Sequence, residues 1–401
     1  INHSPLSQVI FYWLFGLGGV DGLITLSAIL MITAFLLLFL SVYQKKANLF
    51  PSIVMVALAI FASKIRFNIR PENFSVLFFC IYLFILTRYK DRRIIFILPL
   101  IQSIWVNCHG FFILGPLLTA IFIISERLKI RKRLPWAWSD CERMEQKGYR
   151  SLVLVFILSI FASLINPSGI KGAFYPLSIA FNTIVHTSVA HSYILELLPT
   201  WRLRADQVLA YYILIAVSSL SFLLNFRKIN FTYFLSWLVF LGISFNLNRN
   251  IIFFNCIACI VSVDNFSRLD YKKLFGKIFA RNFIFALKCI VLAAIILFSS
   301  LFSLRLLESR YYIFDENRMK SVLLGKANLY PEKAVDFILK NKLPDNLFNL
   351  FDYGSYLIYR LYPQNHVFVD GRTELYTNEL LEDYFRILYA DAPSIGNLLE
   401  K

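Results

Sequence analysis

Apolar stretches of membrane length alternate along the chain with short polar segments, and the polar segments are of two kinds. Every second one is strongly basic. The others carry few charges and hold isolated polar residues: Arg70-Pro71, Asn107-Cys108-His109-Gly110, Asn166-Pro167, Glu196 and Arg249-Asn250. The apolar stretches predict ten spans, at roughly 22–42, 49–63, 73–87, 94–106, 110–125, 151–165, 208–225, 231–246, 251–264 and 283–303. A helix perpendicular to a bilayer needs about 20 apolar residues, so the shorter stretches are expected to be broken or re-entrant.

The charges give this pattern a direction. Segments 43–48, 88–93, 126–150, 226–230 and 265–282 hold 21 Lys and Arg, against 7 in 64–72, 107–109, 166–207 and 247–250. Basic loops stay in the cytoplasm. The first set is therefore expected inside. The second set, and with ten spans the tail from about Leu304, are expected outside. Leu6–Gly19 is apolar and aromatic but is followed by Asp21. It is expected to form an interfacial or re-entrant helix on the outer face, or an amphipathic connector.

Composition supports a membrane protein. Of 401 residues 58% are hydrophobic and 16% charged, where soluble domains use roughly 25% charged residues. The formal charge of +16 invites a nucleic-acid reading, but from Ser303 onward 12 basic residues face 14 acidic ones. The excess sits in short loops, as topology signals do, so no nucleic acid is expected as a partner. Cys256 and Cys259 form a C-x-x-C inside an apolar run with no second pair, which fits packing rather than zinc. The chain starts at Ile1 without a Met, and it is read as lacking its first span and first outer loop.

The organisation expected is an all-α polytopic membrane bundle over 1–303, followed by a small extracytoplasmic α/β domain over 304–401 whose last elements are missing. In the tail, Pro331–Leu339 reads as a helix with Pro at its start, Asn346–Phe351 and His366–Asp370 as strands, Tyr353–Tyr362 as helix or strand, and Glu379–Tyr389 as a helix.

The candidate chemistry lies at the expected outer ends of the spans. Arg70, held extended by Pro71, suits a lipid phosphate, the competing role being an interfacial anchor. Lys64 and Arg66 make this a basic cluster on the side where one is disfavoured. Asn107 and His109 lie in a very short turn, reversed by Gly110, near membrane depth, where polar groups are expensive, the competing role being helix capping by Asn107 with a satisfied His109. Arg249-Asn250 sits in a tight hairpin and suits phosphate or carboxylate recognition. His186, His191 and Glu196 recur five residues apart, which is not one helix face, so a loop covering a cavity is favoured over a metal site. Asp352 and Asp370-Gly371-Arg372 follow the tail strands, where α/β units place ligands and where turns also place Asp-Gly. No phosphate-binding glycine loop, serine-nucleophile motif or HExxH is present, which argues against an ATP-driven pump. No convincing ligand set for a metal is seen.

Taken in order, several of these motifs resemble a family of bacterial multi-spanning proteins related to GT-C glycosyltransferases. The residues are His3 with Leu6-Ser7-Gln8, Arg70-Pro71, Trp105-x-Asn107-x-His109-Gly110, Asn166-Pro167-x-Gly169, Glu196-x2-Pro199, Arg249-Asn250, Tyr353-Gly354-x-Tyr356-Leu357-Ile358 and Val369-Asp370-Gly371-Arg372. The resemblance implies an inner-membrane enzyme that takes a sugar from a polyprenyl-phosphate carrier at the outer face and passes it to a glycan, lipid or protein acceptor. It implies Arg70 and Arg249 on the lipid phosphate, with Asn107, His109 and Glu196 around the reacting groups. His3, Asn250, Asp352, Asp370 and Arg372 are further candidates. The usual base of such enzymes, an acid in the first outer loop, would precede Ile1. Relatives follow the early His with an acid and an aromatic, where this chain has Ser4-Pro5. The alternatives are a non-catalytic scaffold or glycan-export component, or a lipid or solute transporter.

Overall fold

The computed structural model describes residues 4–43, 49–88, 93–131, 134–141, 143–185, 195–269, 330–372 and 376–389, with scattered positions between 285 and 304. Among these residues the chain is helical, without a regular strand. It divides into two compact units, Ile1–Val185 with Glu196–Phe302, and a second that includes Ser303–Lys401.

In the first unit the helices are α1 (Pro5–Val42), α2 (Leu49–Ala62), α3 (Glu72–Thr87), α4 (Leu98–Cys108), α5 (Leu114–Ile130), α6 (Gln146–Ala162), α7 (Gly169–Val185), α8 (Ala205–Leu224), α9 (Phe231–Asn246) and α10 (Ile251–Ser267). Pro5–Val42, Gly110–Ile130, Ala205–Leu224 and Asn248–Ser267 are long and apolar enough to cross a membrane, and α2, α3, Ile94–Cys108 and α9 are shorter apolar helices. Ile29, Ile32 and Leu36 on α1 and Leu209, Leu220 and Leu223 on α8 are exposed. Such apolar outer faces suit lipid.

Leu6–Gly19 is helical, and a kink separates it from the first span within α1, where Gly19 adopts φ 58°, a conformation other residues rarely take. One element differs from expectation. The expected outer loop 166–207 contains α7. Its start is built by Asn166, whose Oδ1 accepts from Ser168 N at 2.9 Å and whose Nδ2 donates to Gly169 O at 2.9 Å. Ile170, Phe174 and Leu177 then recur at helical spacing and are exposed together, a period hidden in the sequence by Pro176 within the helix.

The centre of the unit is α10, which packs against α1, α2, α8 and α9. A helix apolar on every side belongs inside, and Ile251 to Val263 are all buried. Polar side chains fasten it: Asn255 Nδ2 donates to Ser63 Oγ at 3.0 Å, and Asn265 Nδ2 to Ser221 Oγ at 3.0 Å. A second buried node joins α3, α4 and the end of α6. Tyr82 OH donates to Gln102 Oε1 at 2.9 Å, and Gln102 Nε2 donates to Ser163 Oγ at 2.9 Å.

At the expected cytoplasmic end lies a buried ion pair. Lys129 Nζ donates to Glu126 Oε1 (2.8 Å), Thr232 Oγ1 (2.8 Å) and Asn230 Oδ1 (3.2 Å), using all three ammonium protons. Glu126 Oε2 accepts from Met144 N at 2.8 Å. Lys129, counted above among the loop charges, is therefore an internal clamp between α5, the start of α9 and the loop before α6.

In the second unit, α11 (Glu332–Asn341), α12 (Gly354–Leu361) and α13 (Asn378–Tyr389) are helical. Val335, Leu357 and Leu361 form a small core. The two segments expected as strands run side by side but meet in a single parallel bridge, Leu347 with Val367. The reason is Asn349: its Oδ1 accepts from Phe368 N at 2.9 Å and its Nδ2 donates to Val369 O at 2.8 Å, so a side chain takes the bonds of the next ladder step. The expected α/β character is thus reduced, among the described residues, to helices and one bridge.

The clamp gives a test of the packing. Glu126→Ala leaves the Lys129 ammonium buried without its counter-ion, and should cost about 3–5 kcal/mol. Glu126→Leu with Lys129→Met should recover most of that loss, as read by thermal unfolding in detergent.

Candidate functional site

The turns between helices carry the polar residues of the first unit to one cavity. It has a volume of about 210 Å³ and is lined by Ser4, Arg66, Arg70, Pro71, Glu72, His109, Phe111, Glu196 and Arg249. Each arrives on a short connection. Arg66 ends the turn Lys64–Arg66 after α2, and Glu72 opens α3. His109 caps the turn Gly110–Ile113, its ring accepting from Phe111 N. Arg249 sits in the turn Asn248–Asn250 between α9 and α10, and Glu196 in the turn Leu195–Leu197.

The cavity holds three guanidinium groups, and they are unlike one another. Arg66 forms a buried pair with Glu72, Nε donating to Oε1 at 3.3 Å and Nη2 to Oε2. Burial works against the Arg66 charge, but the adjacent Glu72 carboxylate outweighs it and raises the Arg66 pKa. Arg70 Nη1 pairs with Glu196 Oε1, both side chains partly exposed. Among the described residues Arg249 forms no ion pair, and Glu72 and Glu196 act on it only at longer range. Its Nε is buried without a hydrogen-bond acceptor, and its guanidinium lies over the Phe111 ring, 5.1 Å from the centroid. Phe111 is braced edge-on by Phe253 at 5.3 Å.

Pairing costs a buried guanidinium little, whereas an N–H left bare in a dry site forfeits a bond. With three Arg facing two Glu, the described lining carries one positive charge in excess. An oxyanion in the cavity would balance the charge. Guanidinium donors suit phosphate and carboxylate geometry. Among the described residues no group of three or more His, Cys, Asp or Glu side chains is placed to hold a metal ion.

Four of the residues singled out in the sequence, Arg70, His109, Glu196 and Arg249, meet in this cavity. Asn107 does not line it. Its Nδ2 donates to Ser103 O at 2.8 Å and to Ile165 O at 2.7 Å, tying the end of α4 to the segment before α7. Asn250 is buried beside Arg249, also outside the lining. His3, His186 and His191 lie outside the described residues. Asp352, Asp370 and Arg372 belong to the second unit. There Asp370 closes a turn on itself, its Oδ1 accepting from Arg372 N at 2.8 Å and its Oδ2 from Arg372 Nη2 at 2.6 Å. Partial burial opposes the Asp370 charge, and the Arg372 bonds outweigh that and lower its pKa.

Sequence reading missed Glu72, Phe111 and Ser4, and took Arg66 only as part of a basic cluster. One signal was available: an acid directly after Arg70-Pro71, six positions from Arg66, in a segment where positive charge is disfavoured. A scan against protein-family models finds no match to the chain, and a search of curated proteins finds none.

The tail motifs do meet each other. A Cβ on Gly354 would lie 2.1 Å from Val369 O and 2.6 Å from Asp370 Cα, both backbone atoms that cannot step aside. Gly354→Ala should therefore disrupt the second unit and leave the first intact. Limited proteolysis should show the tail cut early while the first unit stays protected.

Proposed function

We propose that this cavity recognises the phosphate of a lipid carrier, and that the protein is a GT-C-like membrane glycosyltransferase acting at the outer face. The observation that carries the reading is Arg249: a buried guanidinium with a bare Nε–H, without an ion pair among the described residues, in a lining with one positive charge in excess. The basic segments at the opposite ends of the helices support an outward cavity, with ten spans and an extracytoplasmic tail in an inner membrane.

In this reading the donor is a polyprenyl-phosphate sugar, a phosphodiester with one negative charge. An acceptor hydroxyl attacks the anomeric carbon and the bond from that carbon to the phosphate oxygen breaks. The electron pair leaves with the phosphate and the hydroxyl proton passes to a carboxylate. The released monoester carries a second negative charge, and Arg249 and Arg70 would stabilise the charge as it develops. Glu196 is the candidate helper, since a phosphate drawing Arg70 away would release its carboxylate. A second reading, a carrier-binding scaffold without catalysis, is favoured by the fact that Glu72 and Glu196 are both held by guanidinium groups.

The test is binding of a long-chain polyprenyl phosphate to the full chain in nanodiscs. Arg249→Gln should weaken binding by about ten- to a hundredfold, the range for losing a charge-assisted bond, and uncharged polyprenol should bind poorly. If Arg249→Gln and Arg70→Gln both bind as the unmodified chain does, the phosphate reading is wrong. Binding without sugar transfer would select the scaffold.

A further inference from the structure

The segment 134–141, between α5 and α6, folds back onto the turn that follows α8. That turn, Phe226–Lys228, presents three successive carbonyls, and the segment answers each of them. Trp138 Nε1 donates to Phe226 O at 2.7 Å, Ala137 N to Arg227 O at 3.4 Å and Cys141 Sγ to Lys228 O at 3.2 Å. The turn is thus held by its backbone, and Phe226, Arg227 and Lys228 remain exposed.

Trp136 is the odd member of this contact. It takes φ 50°, a backbone conformation that bulky residues rarely adopt, and yet it is 62% exposed. Its ring lies 5.4 Å from Trp138 and, edge-on, 5.6 Å from Phe226. Trp138 instead packs on Phe231 and Phe234 at the start of α9. In water, backbone strain and a bare indole would be two costs with nothing to offset them. At the edge of a bilayer an indole is favoured, its apolar body toward the chains and its N–H toward the headgroups.

The neighbouring residues put the patch at that edge. α8 is long and apolar enough to cross a membrane. Its exposed stripe of Leu209, Ile213, Leu220, Leu223 and Leu224 runs to its last turn. Exposed Phe226 and Trp136 follow it, and the cations begin at Arg227, whose guanidinium lies 5.4 Å from the Phe226 centroid. Aliphatic stripe, aromatic rings and cations therefore succeed one another in the order of a leaflet's hydrocarbon, interface and headgroup layers. Against the exposed Arg131, Arg227 and Lys228, segment 134–141 brings a single acid, Asp140.

We propose that Trp136, Phe226, Arg227 and Lys228 form an interfacial binding site for an anionic glycerophospholipid, the cations holding its headgroup phosphate and the two rings seated among the first methylenes of its chains. The site is distinct from the cavity. Arg249 follows the end of α9 and the patch precedes its start, so a helix of about 24 Å separates them. The proposal requires the bundle to sit in a bilayer and requires nothing of the polyprenyl-phosphate reading.

The experiment places the full chain in phosphatidylcholine nanodiscs that contain a minor share of lipid brominated on the upper chain carbons, either phosphatidylglycerol or phosphatidylcholine. Bromine quenches an indole only on contact, and the Trp136 signal is the difference between the unmodified chain and Trp136→Phe. Brominated phosphatidylglycerol should quench Trp136 at several-fold lower content than brominated phosphatidylcholine, since each cation near an anionic surface is worth about fivefold. Arg227→Gln with Lys228→Gln should make the two lipids equal. Native mass spectrometry is the second measurement: the unmodified chain should retain phosphatidylglycerol in preference to phosphatidylcholine, and the double variant should lose that preference. Equal quenching in the unmodified chain would overturn the anionic site. A preference that survives in the double variant would remove Arg227 and Lys228 as the headgroup ligands and overturn it as well. No quenching by either lipid would place the patch outside the bilayer, against a protein partner, and end the proposal. None of these outcomes depends on what the cavity binds.

Discussion

A guanidinium group at the edge of an apolar bundle must find negative charge, and the way the three cavity arginines meet this demand organises the site. Taking an ion from water costs several kcal/mol, recovered only when the partner is close and its hydrogen bonds are made. Arg66 meets the demand inside the protein, through Glu72. Arg70 meets it at the rim, through the partly exposed Glu196. Among the described residues Arg249 has no carboxylate in direct contact: it lies over the face of Phe111 and feels Glu72 and Glu196 at longer range, and a cation over an aromatic ring recovers a fraction of what a paired carboxylate would. The ranking from closed to open suits the binding site proposed above: one fixed pair, one pair at the rim and one cation without a direct counter-ion among the described residues.

The fold supports this by holding the buried charges and most large polar side chains of the bundle in hydrogen bonds within the protein. The central helix α10 is buried on all sides, and its end places Arg249, in the turn just before it. The Gln102 node and the Lys129 clamp use their hydrogen-bonding groups within the protein. The unpaired charge lies where helix ends face the cavity, at Arg249. Mid-membrane hydrogen bonds are individually modest, about 0.6 kcal/mol on average, so the bundle depends on many of them, while the cavity depends on a few charges.

Much of this was legible along the chain, and what was not has physical reasons. Apolar runs announced α2, α3, α8, α9 and α10 within a few residues, because a lipid-exposed or buried helix leaves no room for charge. Arg70, His109, Glu196 and Arg249 stood out because polarity at a span end is expensive. Glu72 did not, since an acid in a helix's first turn has an ordinary explanation in the helix dipole. Of the two roles open to Asn107, the structural one fits its bonds; the sequence does not decide between them, because an amide serves a carbonyl as readily as a ligand and Ile165 O is far off in sequence. Lys129 counted as a topology charge because its partners Asn230 and Thr232 lie a hundred residues away. The tail strands failed on Asn349, whose side chain ends the ladder that alternating residues announced.

The central claim, an anion-binding cavity open to the outer face, is tested most directly by its sidedness. Cys80, Cys108, Cys256 and Cys259 are buried, leaving Cys141 and Cys289 to be replaced by serine. In that background Glu196→Cys reports on the cavity rim, and Lys228→Cys on an exposed position in a basic turn. A membrane-impermeant maleimide applied to intact cells should label position 196 and spare position 228, with polyprenyl phosphate slowing the first reaction, and inverted membranes should reverse the pattern. Labelling of position 196 from the cytoplasmic side alone would contradict the account.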